Sequence, residues 1–92
     1  MGLARSDPSV PIQLYAAAGM WRMGDVFGRE LLLRMYQSKD WLTRAMADHY
    51  LGEMGGGDEY RRLQRELDGE PDQAVKAEIL AALVKLNPKK DE

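Results

Sequence analysis

His49 is the only histidine in the chain, and there is no cysteine. Imidazole and thiolate are the ligands that hold zinc and most transition metals, so one imidazole without partners supports no such site. Carboxylates strung along helices hold a hard cation poorly. Nucleophilic chemistry needs a hydroxyl or thiol within reach of a base. Ser6, Ser9 and Ser38 fall in turn or cap sequences, and Thr43 falls on an apolar stripe. Gly55-Gly56-Gly57 follows a helical pattern rather than a strand and lacks the Gly-Lys-Ser/Thr ending of a phosphate loop, so it reads as a helix stop. The acids between residues 66 and 72 sit in a polar turn sequence with no pocket to concentrate them. No catalytic residue, metal ligand set or cofactor motif follows, and the chain reads as a non-enzyme.

Two other groups of residues suit binding. Arg29 and Arg34 lie on one helical segment, and Arg61, Arg62 and Arg65 lie on the next but one. Together they form a candidate basic strip for an acidic partner. Asp58, Glu59, Glu30 and Glu66 compete for them at helical spacings. The second group is apolar. Leu80 and Val84 fall off the main stripe of the last helical segment, and Trp21 and Trp41 fall off the stripes of theirs, so these four are the candidate apolar interface.

The segments that position these residues are helical throughout. Strongly β-branched aliphatics are scarce, with Ile at 12 and 79 and only four Val, while Ala, Leu, Met, Glu, Lys and Arg dominate. The spacing predicts a first helix from Ser9 to Met23 with a stripe of Ile12, Ala16, Gly19, Met20 and Met23. Gly24-Asp25 ends it. A second helix from Phe27 to Gln37 carries the row Phe27, Leu31, Met35, with Leu32 and Tyr36 beside it. Asp40 caps a third helix whose stripe is Thr43, Ala47, Tyr50, Leu51 and Met54, with His49 off it. A fourth, from Asp58 to Leu67, buries Tyr60, Leu63 and Leu67. A fifth, from Gln73 to Leu86, buries Val75, Ile79, Ala82, Leu83 and Leu86 and is apolar on nearly every side.

The first, third and fifth segments repeat. An offset of 31 lays Ile12, Gln13, Ala16, Met20 and Met23 on Thr43, Arg44, Ala47, Leu51 and Met54. An offset of 32 lays Thr43, Arg44, Ala47, Leu51 and Met54 on Val75, Lys76, Ile79, Leu83 and Leu86. The second and fourth match through Leu32 with Leu63 and Tyr36 with Leu67. Such a period with two helices per unit marks an α-solenoid. Asp40-x-x-Thr43-Arg44-x-x-Ala47-x-x-Tyr50-Leu51-Gly52-x-Met54-Gly55 resembles the HEAT repeat in its short, bilin-lyase-like form, D-x-x-V-R-x-x-A-A-x-A-L-G-x-L-G. Asp72-x-x-Val75-Lys76-x-x-Ile79-Leu80-x-Ala82-Leu83-x-x-Leu86 is a second copy, and the stretch from Ile12 to Gly24 a third. The repeat's arginine is kept only as Arg44 and becomes Gln13 and Lys76 elsewhere.

The resemblance implies an all-α fold, a short right-handed α-solenoid of five antiparallel-paired helices. Its units are repeat 1 over 9–37, repeat 2 over 40–68 and a half repeat over 73–86, after a flexible lead at 1–8 and before a polar tail at 87–92. It also implies a protein–protein interaction or scaffold role, with the second helix of each pair lining the concave, partner-binding face. The alternative it implies is an accessory relative of the bilin lyases that handles a tetrapyrrole. The partner reading is another protein, with self-association as a homodimer through the fifth helix beside it.

The net charge of -2 gives no drive toward nucleic acid. No apolar run approaches the roughly 20 residues that cross a bilayer. No basic segment with a following apolar core marks a signal peptide, and the lack of cysteine fits a cytoplasmic location. Met1-Gly2-Leu3-Ala4-Arg5-Ser6 fits the loose N-myristoylation pattern, which is too short to carry weight alone.

Overall fold

Aspartates start three of the helices, because a short side-chain carboxylate can accept the backbone N–H groups that a first turn leaves open. Asp25 accepts from Phe27 N at 2.9 Å and opens α2 (Val26–Met35). Asp40 accepts from Thr43 N at 3.3 Å and from Thr43 Oγ1 at 2.8 Å and opens α3 (Trp41–Met54). Asp72 accepts from Ala74 N at 2.8 Å and Val75 N at 3.2 Å and opens α5 (Gln73–Leu86). Before α4 (Gly57–Gly69), Glu59 reaches back to the Gly56 N–H at 2.8 Å. The computed structural model describes residues 9–89, which also hold α1 (Ser9–Arg22) and a closing 3₁₀ turn (Asn87–Lys89). The lipidation match, the lead at 1–8 and the end of the tail lie outside the described residues.

The helices form an all-α solenoid. α1 packs mainly on α2, and α3 makes its largest contact with α5. α4 leans on α5 more than on α3, and smaller contacts join α3 to α1 and α2. The Cα envelope measures 43 × 30 × 15 Å. Packed helix axes lie about 8–10 Å apart, so the thin dimension is roughly two helix layers. One core runs through the sheet of helices: Leu14 and Ala17 of α1, Leu32 of α2, Ala47 and Leu51 of α3, Leu63 of α4, and Val75, Ile79 and Leu86 of α5. Among the described residues no helix is long and apolar enough to cross a membrane.

Three glycines shape the packing. Gly24 has φ of 90°, a left-handed conformation that lets the chain reverse between α1 and α2. A Cβ on Gly28 would stand 2.2 Å from the Ala17 carbonyl oxygen, so α2 touches the backbone of α1. A Cβ on Gly52 would stand 2.6 Å from Ala82 Cβ, so α3 and α5 are equally close.

The faces of α1 and α2 differ from those expected. Ile12 is 69% exposed and Met23 86%, and Ala16 is exposed too. The buried residues are Leu14, Ala17 and Ala18, with Val10 and Trp21 packed against the core. These positions coincide with the buried ones of α3 at an offset of 33, not 31: Val10 with Thr43, Leu14 with Ala47, Ala18 with Leu51, Trp21 with Met54. The cause is that α1 is apolar nearly all round, so spacing alone does not select a face. The close docking of Gly28 on the backbone at Ala17 and Trp21 selects it instead. On α2 the buried row is Gly28, Leu32 and Tyr36, one residue on from Phe27, Leu31 and Met35, and Phe27 is exposed. α4 is longer at both ends than its apolar positions indicate, with Tyr60 and Leu67 half-buried.

Candidate interaction surface

The five arginines of the expected strip separate into two kinds. Arg29 on α2 gives both Nε and Nη2 to Glu59 Oε2 of α4, at 2.9 and 2.5 Å, and lies 4.0 Å from Asp58. Its guanidinium also lies 5.9 Å from the Trp21 ring centre. Arg61 donates to Asp58 Oδ1 at 2.8 Å, one turn back on α4. These two cations are therefore spent within the fold. Arg34, Arg62 and Arg65 make no hydrogen bond or ion pair among the described residues. Arg34 and Arg65 occupy matching places on α2 and α4, since each lies nine residues past the N-cap, Asp25 or Gly56.

Arg62 and Arg65 line a cleft of about 370 Å³. Tyr36 and Gln37, just past the end of α2, form one wall, and Arg44, Glu66 and Glu70 complete it. Arg44 does not add free charge there. Its Nε and Nη2 bind Glu70 at 3.0 and 2.9 Å, and its Nη1 donates to the Ser38 and Lys39 carbonyls at 2.9 and 3.0 Å. Glu70 in turn accepts from Asp72 N at 3.0 Å. One guanidinium thus ties the α2–α3 connection to the α4–α5 connection. Its hydrogen bonds to Glu70 push the Arg44 pKa up, against the opposing effect of burial.

Behind Glu66 lies Asp48 of α3, 0% exposed. Among the described residues neither carboxylate finds a hydrogen-bond donor for either oxygen. Burial, followed by the charge of Glu66, pushes the Asp48 pKa up to about 10. Burial likewise pushes Glu66 up to about 7. Two ionised carboxylates have no proton to share, whereas one proton turns their contact into a hydrogen bond. The pair is therefore protonated at least once near neutral pH.

The sequence expectations set the acids from 66 to 72 in a polar turn without a pocket and did not include Asp48. Glu66 instead lies within α4 and lines the cleft with the buried Glu70. A signal for the pair was present: Asp48 follows Ala47 where the repeat pattern carries a second alanine, and the equivalent place on α5 is Leu80. The Arg44–Glu70 pair spans 26 residues and carries no local signature.

The apolar candidates part company. Leu80 and Val84 are 52% and 75% exposed and border one shallow groove with Tyr60, Leu83 and Asn87. Trp21 is half-buried against the core beside Arg29, and Trp41 is exposed at the start of α3. His49 is exposed on α3, with Nδ1 3.6 Å from Glu78 and its ring edge-on to Tyr50 at 5.4 Å. Ser38 and Thr43 act in the cap before α3, where Ser38 Oγ accepts from Asp40 N at 3.1 Å. No cluster of three or more ligand side chains suited to a metal occurs among the described residues.

The family model for HEAT repeats matches residues 2–84. A search of curated proteins and a search of solved structures each returned no match.

Proposed function

Because this chain belongs to the HEAT-repeat family, we propose that it is a non-catalytic protein-interaction module that docks an acidic segment of another protein. HEAT repeats in general mediate protein–protein contact or scaffolding. The observation that carries the reading is the division of the arginines: among the described residues Arg34, Arg62 and Arg65 have no ion-pair partner, while Asp58 and Glu59 hold Arg61 and Arg29. An unpaired guanidinium at a cleft edge is free to take a carboxylate in two parallel hydrogen bonds. The net charge of -2 makes this a local field, which suits a short acidic stretch rather than a polyanion such as nucleic acid.

Fluorescence anisotropy with a labelled oligo-aspartate peptide tests the reading. Binding is expected at low salt and should weaken as ionic strength rises to about 0.3 M, where screening shortens to a few ångström. Arg34→Gln, Arg62→Gln and Arg65→Gln together should abolish it, while Arg61→Gln should leave it nearly intact. Equal losses in both variants would refute the division.

A second surface supports self-association. The caps Asp40 and Asp72 place Ala77, Leu80 and Val84 of α5 at the offset of Ala45, Asp48 and Gly52 of α3. The α3 row is buried, with Gly52 against Ala82 of α5, whereas the α5 row is exposed. Its exposed row is uncharged, and the ridge of Leu80 and Val84 borders its own groove, so a two-fold axis would let the ridge of one copy enter the groove of the other. No specific observation favours the tetrapyrrole alternative, since arginines that could take its propionates suit an acidic peptide equally.

A further inference from the structure

Neither the family fold nor an arginine-lined docking face calls for the acids at the floor of the cleft. Glu66 shares the wall with Arg62 and Arg65 of its own helix, and its oxygens are buried against Asp48. Asp48 is fully enclosed, and among the described residues neither of its oxygens has a donor. The charged groups that act on the pair are Arg44 of α3 and Glu70 between α4 and α5, with Tyr36 past α2 on the same cleft and Asp72 acting on Arg44. Arg44 and Glu70 satisfy one another. Among the described residues, Arg62 and Arg65 of the same cleft have no such partner.

We propose that the Asp48–Glu66 pair makes docking at this cleft proton-linked, so that an acidic protein segment binds more tightly when the pair holds two protons than when it holds one. This rests on the docking reading given above. The second proton removes a negative charge from beneath Arg62 and Arg65, and the field at the cleft mouth becomes more positive. An acidic ligand adds negative charge at the mouth and draws the same proton in. Binding and protonation therefore favour each other by the same free energy. With burial holding Glu66 at about 7 and Asp48 at about 10, the change from one proton to two falls across neutral pH. One charge at roughly 6 Å near a wet surface changes affinity about three- to tenfold.

The test is anisotropy with the labelled oligo-aspartate peptide at pH 6 and pH 8, at constant ionic strength. Aspartate side chains stay ionised at both values, so the probe does not change. Wild type should bind about three- to tenfold more tightly at pH 6. Asp48→Asn with Glu66→Gln keeps shape and removes the titration, and should bind at both pH values with the affinity of wild type at pH 6. His49→Gln removes the imidazole and should leave the wild-type ratio unchanged. Equal wild-type affinity at the two pH values, or a ratio that survives in the Asn/Gln variant, would overturn the linkage and leave docking standing. No binding by wild type at either pH would overturn both. A carbon-detected NMR titration of the Glu66 carboxyl adds a check independent of peptide: a midpoint in the ordinary glutamate range refutes the linkage.

Discussion

Asp48 is a buried acid whose folded-state pKa lies above its unfolded value of 3.8, at about 10. Between those values the folded chain holds a proton that the unfolded chain has released. Unfolding then releases protons, so stability is fully present below about pH 4 and falls as pH rises toward 10. Glu66 acts in the same direction over its shorter range, from 4.5 to about 7. Thermal unfolding followed by circular dichroism should show the wild-type Tm falling from pH 5 to pH 9, by about 4–8 °C for each 1 kcal/mol lost. Asp48→Asn donates to Glu66 without needing a proton. Its profile should be flatter and should lie above wild type at pH 9. A variant less stable than wild type at pH 9 would mean that Asp48 gains more from its surroundings than burial costs it. The sequence marks Asp48 only as an acid where the repeat pattern carries alanine, and the packing of α3 among its neighbours encloses it.

At the scale of elements, two helical glycines should respond to the same change with opposite sign. Gly19 of α1 has open space where a Cβ would go, so Gly19→Ala should gain about 1 kcal/mol from helix propensity. Gly28, in the first turn of α2, would drive its Cβ into the Ala17 carbonyl, and Gly28→Ala should cost about 1–3 kcal/mol. Urea denaturation of both variants checks the pair, and a stabilised Gly28→Ala would mean that α1 and α2 can separate freely. The same contact shows where sequence patterning stops. α5 was legible in its bounds, because Asp72 fixes its start, and of its expected stripe Val75, Ile79, Ala82 and Leu86 are buried and Leu83 half-buried. The capped start of α3 was equally plain. α1 offers apolar residues on several faces, and its true face depends on a glycine of another helix. The Arg29–Glu59 pair was hidden for a similar reason, since same-helix spacing suggested partners and the fold supplied one from 30 residues away.

For the whole molecule, the exposed row on α5 bears on the proposed self-association. The helix is about 21 Å long at 1.5 Å per residue, and one face of it buries well under the roughly 800 Å² per partner of a standard interface. A reversible dimer is therefore expected, seen by light scattering only at high concentration. Leu80→Glu with Val84→Glu should return a folded monomer at every concentration. A wild type that stays monomeric throughout would remove α5 as a self-docking face. The unequal contacts among the helices carry a different consequence. α1 and α2 hold chiefly to each other, α3 and α5 hold chiefly to each other, and the joints between these groups are smaller. Such a chain opens in parts. In native-state hydrogen exchange, amides of α1 and α2 should exchange through a common opening of lower free energy than those of α3 and α5. The array would then lose its first two helices as one cooperative body, leaving a three-helix remnant around α3.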